Sequence, residues 1–440
     1  MPAHHAQALC DFIDASPSAF HAVRSGVAML EAIGAQRLDE RERWTLKAGG
    51  CYYLIRDDAS LVALRVGGRS PADAGFALAA AHADAPALRV RYEKAVVARG
   101  LERAAVEAYG GPIHATWLDR PLNMAGRALV KGKDAKPELR LVNLKRPVAV
   151  IPNLAIHFNR EMNKGIEYPM NSALLPLVAC APDATGASVV GAPSYAWALR
   201  VCAKELGVEP QDILSAELSF VDAAPSLVWG EDGEFISAPR IDNLEGCHSV
   251  LSAFCVAGAR EHSQLAVLFD NEEIGSGTPR GADSAFLRDV LARIIAARGG
   301  QGAEDEQRAL ARSFCISVDG AQGWHPSYAD RFDEDYAPVL NKGPAVKANA
   351  NQRYATDAVS EAAFKSWCAM AGVPSQRFRM RADLAPGSTI GPVNAALLGV
   401  RTVDVGVPML AMHSVRECSG SYDHDYMIRA LKAFYDSYAS

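Results

Sequence analysis

At 440 residues the chain exceeds what one compact core organises, so two domains are expected. Lys and Arg number 45 against 51 Asp and Glu, a net charge of −6 with no basic block, which argues against nucleic acid and anionic membranes as partners. No apolar stretch reaches the roughly 18–20 residues of a membrane span, and the opening MPAHHAQALCDF lacks the charged-then-apolar pattern of a signal peptide.

In chain order, Ser16-Pro17 reads as a helix cap with proline at the first helical position. Phe20, Val23, Val27 and Leu30 follow at helical spacing on one face. Trp44 to Val66 reads as short strands about a Gly49-Gly50 turn, and the apolar run Phe76 to Ala81 leads into His82-Ala83-Asp84. From about Glu93 to Val228 the texture changes. Pieces such as Arg127 to Val130 and Leu139 to Val142 have strand character and alternate with Gly and Pro turns. No segment that pairs an apolar run with a metal-type group falls inside that stretch, so it reads as an inserted domain, 93–232, between catalytic parts 1–92 and 233–440.

After the insert, strand and helix patterns alternate to the end. Asp242-Asn243 precedes the apolar stretch Leu244 to Ala257, where Asp242 is also placed to cap a helix. Leu265 to Phe269 precedes Glu272-Glu273, and Phe314 to Val318 precedes Asp319. His413 stands in Met412-His413-Ser414; Gly299 to Glu306 and Ala329 to Pro344 read as loops. The nine cysteines are scattered, odd in number and without a C-x-x-C; Cys255 and Cys315 lie in apolar runs, where a thiol acts as a small hydrophobe. That usage fits a reducing compartment, and a cytoplasmic protein is expected.

Apolar runs rich in Val, Ile, Leu and Phe read as buried strands. In an open α/β sheet, ligands bind at the carboxyl ends of such strands. The five segments that hold His82-Ala83-Asp84, Asp242-Asn243, Glu272-Glu273, Asp319 and His413 are therefore expected to converge, although hundreds of residues separate the first from the last. Two histidines and three carboxylates, with no paired cysteines, suit Zn²⁺ in a catalytic role. They also suffice for two ions about 3.5–4 Å apart that share one carboxylate; Asp242 fits the shared position. Of the adjacent acids, one can face metal while the other faces water as general base. Asp84 is close enough to accept the proton of the His82 nitrogen that is not on the metal.

The order HADAP, RIDN, DNEEIGS, SVD and AMHSVRE resembles the aspartyl aminopeptidase family of dinuclear zinc exopeptidases. The resemblance runs through FIDASPSAFHAV, GGCYYLIR, YGGPIHATWLDRPLNMAGR, IPNLAIHFNREMN, NANQRYATDA and GSTIGPVNAALLGVRTVDVGVPMLAMHS, nearly the whole chain. It implies an α/β fold, a central mixed sheet flanked by helices, with an inserted β-rich dimerisation domain in a large homo-oligomer, a dodecamer. His82, Asp242, Glu273, Asp319 and His413 become the metal ligands, Glu272 the general base and Asp84 the residue that orients His82. Two zinc ions per subunit are implied, with Mn²⁺ or Co²⁺ as alternatives. The peptide after Asp242 is expected to be cis. His157, by default a strand histidine, becomes a group that reaches a neighbouring subunit's active site. Lys347, by default a solvated lysine, becomes the cation that meets an acidic substrate side chain. His325 in GWHPSY reads as a loop or supporting residue.

The implied activity is removal of one N-terminal residue, preferably Asp or Glu, from short peptides by metal-activated water. A broad neutral aminopeptidase remains an alternative. A dinuclear-zinc deacylase or carboxypeptidase could use the same ligand set, and would recognise a free carboxylate rather than a free amine.

Overall fold

The computed structural model describes residues 2–180 and 195–439. The chain divides into two compact units, the first comprising 1–84, 226–412 and 417–440, the second 85–225 and 413–416.

The first unit is built on a nine-stranded mixed sheet. Its strands are β1 (Gln36–Arg37), β2 (Cys51–Arg56), β3 (Ser60–Arg65), β4 (Phe76–His82), β5 (Ser263–Phe269), β6 (Phe314–Val318), β7 (Ala345–Lys347), β8 (Gln376–Phe378) and β9 (Arg401–Gly406). They lie in the order β1-β2-β3-β5-β4-β6-β9-β7-β8. The central four, β5, β4, β6 and β9, run parallel, so their carboxyl ends share one edge. β4 is rich in alanine, a helix former by propensity, yet it is buried on both faces. Ala77, Ala79 and Ala81 join one apolar cluster, Phe76, Leu78 and Ala80 the other. Burial on both faces suits a parallel interior strand and overrides the local preference.

Helices close both faces. α1 (Pro2–Ala15), α2 (Ala19–Ala32), α3 (Ile241–Val256), α4 (Phe286–Ala297), α5 (Ala358–Ala371) and α6 (Ser421–Ser437) are the long ones. α3 and α6 contribute Leu244, Val250, Phe254, Leu431, Phe434 and others to the first cluster; Phe286, Leu287, Val290 and Ile294 of α4 fill the second. A five-stranded sheet, with Phe235–Ala238 paired to Glu417–Gly420, completes this unit.

Three local expectations are corrected. The helix after the first turn starts at Ala19 with Ser18 at its N-cap, while the Ser16 hydroxyl bonds to Ser25 instead. The β2–β3 turn is made by Asp57 and Asp58, both at positive φ, and Gly49-Gly50 precedes the hairpin. Asp tolerates that conformation through its short polar side chain. Gly302–Ala311 is a helix, so the expected loop of 299–306 is cut short.

The second unit carries a six-stranded antiparallel sheet that includes Ala87–Ala98, Leu122–Lys131, Pro137–Asn143 and Ile213–Asp222. The helix Trp197–Leu206 buries Trp197, Ala198, Cys202 and Ala203 in its core. Among the described residues no helix is long and apolar enough to cross a membrane.

The carboxyl edge is tightly packed at Gly406. A Cβ there would meet the Asp319 carbonyl oxygen at 2.0 Å and the Ala321 nitrogen at 2.8 Å. Gly406→Ala should therefore cost about 1–3 kcal/mol, the usual penalty of overpacking. Thermal unfolding checks it, and an unchanged Tm would mean that the Asp319 turn can give way.

Candidate metal centre

The register of the central strands brings the expected segments together. Phe269 pairs with His82, so β5 and β4 end level, and Ser317 pairs with Ala80, which carries Asp319 to the same height. Asp242 comes from the start of α3, and Glu272-Glu273 from a single 3₁₀ turn after β5. His82, Asp84, Asp242 and Asp319 are buried; Glu272 and Glu273 are half-buried.

His82 is the hub. Its Nε2 lies 3.5 Å from Asp242 Oδ1, 3.7 Å from Asp319 Oδ1 and 3.9 Å from Glu272 Oε2. Its Nδ1 faces the Asp84 carbonyl at 3.1 Å and the Asp84 carboxylate at 3.4 Å. That geometry assigns the proton to Nδ1 and leaves Nε2 as donor atom for a metal. Burial pulls the imidazole pKa down, but Glu272, Asp242, Asp319 and Asp84 together raise it well above the ordinary value. Burial also pushes the Glu272 carboxyl up; His82 opposes this, while Asp319, Asp242 and Asp84 push further, to about 7.

Asp84 has a role that its spacing from His82 does not announce. Its two carboxylate oxygens accept the backbone N–H groups of Glu272 and Glu273, each at 3.1 Å. One aspartate therefore orients the imidazole and pins the glutamate turn.

Asp242 stands at the entry to α3. Its own backbone is outside helical geometry, with φ −81° and ψ 105°, and the Asp242–Asn243 peptide is cis. Asn243 Oδ1 accepts from the Gly246 N–H at 3.2 Å while its Nδ2 donates to the Val318 carbonyl at 2.7 Å. Glu417, also buried, accepts the Asp242 N–H at 2.9 Å. Cys247 Sγ donates to the His82 carbonyl at 2.9 Å. Asn243 and Glu417 stand inside the RIDN and AMHSVRE segments, but nothing local in the sequence marks these contacts.

Lys347 is not a solvated strand-edge lysine. It is 2% exposed, and its Nζ donates to the carbonyls of Asp319 and Gly320 at 3.0 and 3.1 Å. The same ammonium lies 3.5 Å from Asp319 Oδ2. Burial lowers its pKa, and Asp319 more than offsets that, so the group stays charged.

Three further expected residues, His413, His157 and His325, come from other segments of the chain. His413 groups with the second unit, where its carbonyl accepts from Ile113 N–H at 3.0 Å and its Nδ1 faces the Gly111 carbonyl at 3.2 Å. A proton held at Nδ1 again leaves Nε2 for a metal. His157 sits in an exposed turn of the second unit, not in a strand, between Ile156 and Phe158, which are 49% and 81% exposed. His325 is a half-buried loop residue whose Nδ1 accepts from the Ser327 N–H at 3.1 Å.

His82 with Asp242 and Asp319, and His82 with Glu272 and Glu273, are donor groups close enough to hold an ion. Imidazole nitrogen with carboxylate oxygens, and no thiolate directed at them, suits Zn²⁺ at a catalytic position. Buried like charges repel strongly, and a divalent cation is the partner that inverts that balance. The residues fit the group.

A half-buried glutamate pair and buried carboxylates around one imidazole, on the carboxyl edge of a helix-flanked mixed sheet, define a metal-dependent hydrolase of mixed α/β class. Residues 12–435 match the family model described as aminopeptidase I zinc metalloprotease (M18). "Probable M18 family aminopeptidase 2" of Pseudomonas paraeruginosa is 43% identical over 436 residues, 98% of each chain. A chain in the cryo-EM structure of the Ape4 and Nbr1 complex has a TM-score of 0.94 at 34% identity, covering 99% of this chain and 86% of that one. The S. cerevisiae mApe1 dodecamer gives 0.84 at 28% identity, covering 98% and 96%. The chain belongs to the M18 family; it is a zinc aminopeptidase, a hydrolase of peptide bonds.

Asn cannot accept two backbone N–H groups with its two terminal atoms, since one is itself a donor. Asp84→Asn should therefore release one end of the Glu272-Glu273 turn and lower kcat/KM by about 10–100-fold, as loss of a supporting partner does. Steady-state kinetics alongside circular dichroism checks this; full activity would show that the turn holds itself.

Proposed function

We propose that this aminopeptidase removes single N-terminal residues, preferably Asp or Glu, from short peptides, with Glu272 as general base. The observation that carries the reading is the position of Glu272, on the turn that Asp84 pins and within 3.9 Å of the His82 imidazole. Two zinc ions would be held by His82, Asp242, Glu273, Asp319 and His413. When bound, zinc supplies a Lewis acid for the scissile carbonyl and lowers the pKa of water toward about 7. Glu272 takes a proton from the attacking water and returns it to the leaving nitrogen. Asp84 keeps that carboxylate and the His82 ring in place through the transfer. Asp319 is held from behind by Lys347, and Asp242 through its backbone by Glu417.

Glu272→Gln keeps the shape but cannot accept the proton. We expect kcat to fall by about 10²–10⁴-fold with zinc content unchanged by elemental analysis. Retained activity, or zinc lost while Glu273→Gln stays active, would exchange the two glutamates' roles.

Assembly belongs to the same reading. Relatives include an mApe1 dodecamer, and the exposed Leu154, Ile156 and Phe158 around His157 support self-association through the second unit. We propose a cytoplasmic homo-oligomer in which His157 serves a neighbouring subunit's site.

Side-chain preference has two readings. A charged, buried lysine beside the carboxylate cluster, in a chain of net charge −6, supports a cation for an acidic residue. Against it, the contacts of Lys347 to Asp319 and Gly320 favour broad neutral specificity, because a substrate carboxylate would compete with Asp319 for the ammonium. Lys347→Met decides between them on a panel of aminoacyl substrates. Under the acidic reading, kcat/KM for Asp and Glu drops at least about tenfold, the worth of one charge-assisted contact, while Leu and Ala hold. A parallel fall in all four, or a wild type that already favours Leu, establishes the broad reading.

A further inference from the structure

Away from the metal centre, α3 and α6 bury a second set of ionisable groups. Glu245, His248 and Ser249 lie on α3 and His424 on α6; Glu245, Ser249 and His424 are at most 1% exposed, His248 6%. Glu245 Oε1 is 2.7 Å from His424 Nδ1, and the Ser249 hydroxyl donates to that Oε1 at 2.7 Å while lying 3.1 Å from the same Nδ1. His424 Nε2 is 2.8 Å from His248 Nδ1, with the two rings stacked at 4.9 Å. His248 Nε2 faces the half-buried Ser252 hydroxyl at 3.4 Å. The contacts therefore run Glu245–His424–His248–Ser252, from the core toward solvent, with the Ser249 hydroxyl beside the first link.

Each link has two nitrogen or oxygen atoms and room for one hydrogen, so the line has two polarities. With the Glu245 carboxyl protonated, Oε1–H donates to His424 Nδ1. His424 Nε2–H then donates to His248 Nδ1, and His248 Nε2–H to the Ser252 oxygen. Remove one proton to solvent and all three links reverse. Ser252 O–H now donates to His248 Nε2, His248 Nδ1–H to His424 Nε2, and His424 Nδ1–H to a Glu245 carboxylate. The number of bonds is unchanged. What differs is a buried negative charge between two helices, which is costly even when hydrogen-bonded.

We propose that Glu245, His424 and His248 form a single-proton line that locks α3 to α6 while protonated and loosens them when the proton leaves. Asp242, one turn earlier on α3, ties this lock to the helix that carries a proposed zinc ligand.

Burial pushes the Glu245 carboxyl from its ordinary 4.5 up to about 8. Burial pulls His424 down to about 3, and His248 also falls below its usual value, so neither imidazole carries the charge near neutrality. Other titratable groups face the line. They are His5 on α1, which pairs with Asp425 at 2.7 Å, together with Asp423 and Asp425 on α6, Lys342 beside Asp423, and Cys247 on α3. Asp423 accepts the Gly343 N–H at 2.7 Å and does not enter the line.

The folded state holds a Glu245 proton that the unfolded chain gives up above the ordinary carboxyl value. Its stabilisation is complete below 4.5 and is lost as pH rises toward 8. Glu245→Gln keeps a donor for His424 and cannot ionise. For zinc-loaded full-length protein, the Tm of this variant minus that of wild type should widen by about 3 °C or more between about pH 6 and about pH 9. A constant packing penalty cancels in that comparison, and parallel Tm curves would overturn the proposal. A second readout separates a line from a lone buried acid. Magic-angle-spinning NMR of ¹⁵N-histidine-labelled protein should show His424, assigned by its absence in His424→Gln, pass from the Nε2–H to the Nδ1–H tautomer over the same range. A His424 tautomer that stays constant across that range would equally overturn it.

Discussion

Five carboxylates, Asp84, Asp242, Glu272, Glu273 and Asp319, crowd about the His82 imidazole, most of them out of reach of bulk water. Two like charges about 4 Å apart repel by about 4 kcal/mol even at an effective dielectric near 20. A chain accepts such crowding only where the backbone is held rigidly enough to impose it. Here that rigidity comes from three parallel strands ending level, so that His82, the Glu272-Glu273 turn and Asp319 meet at one height. Zinc chemistry is the use to which the accumulated negative charge is suited.

A ring of contacts behind the donors shares the strain of that arrangement. Asp84 spends both oxygens on the glutamate turn, Glu417 takes the Asp242 N–H, and Asn243 ties α3 to the end of β6. Lys347 returns a positive charge to the back of Asp319. Each contact joins a side chain to backbone or to a single charge, which limits how far any donor can swing. Preorganisation of that kind is what lets a site stabilise developing charge without rearranging during the reaction.

The same helix that presents Asp242 carries the buried Glu245 and His248 on its later turns, against His424 of α6. Two sets of ionisable groups on one helix make its seating sensitive to charge at both levels. The apolar contacts of Leu244, Val250, Leu251 and Phe254 hold the helix regardless of pH. The polar line adds a component that depends on a single proton.

Much of the site was legible because strand ends leave a local trace. Apolar runs before His82, Glu272 and Asp319 announce buried strands, and a charged residue straight after such a run is costly unless it has a partner. The strand and helix alternation of the first unit and the strand-rich texture of the insert followed from the same local pattern, while the mixed sheet was implied by the family resemblance. Short-range signals misled at two turns. Ser16 read as the cap where Ser18 holds that place, and Gly49-Gly50 read as the turn that Asp57 and Asp58 make. Beside Asp242, which read as a possible helix cap, Asn243 accepts the Gly246 N–H at the start of α3. The direction of Lys347, the grip of Asp84 on a turn 188 residues away and the Glu245–His424 contact across 179 residues are set by register and helix packing. By itself the sequence determined which residues could serve as donors and which strands would carry them, because burial and period are written locally. Only the tertiary structure decided which donor faces which partner, because a hydrogen bond depends on where two distant backbones come to rest.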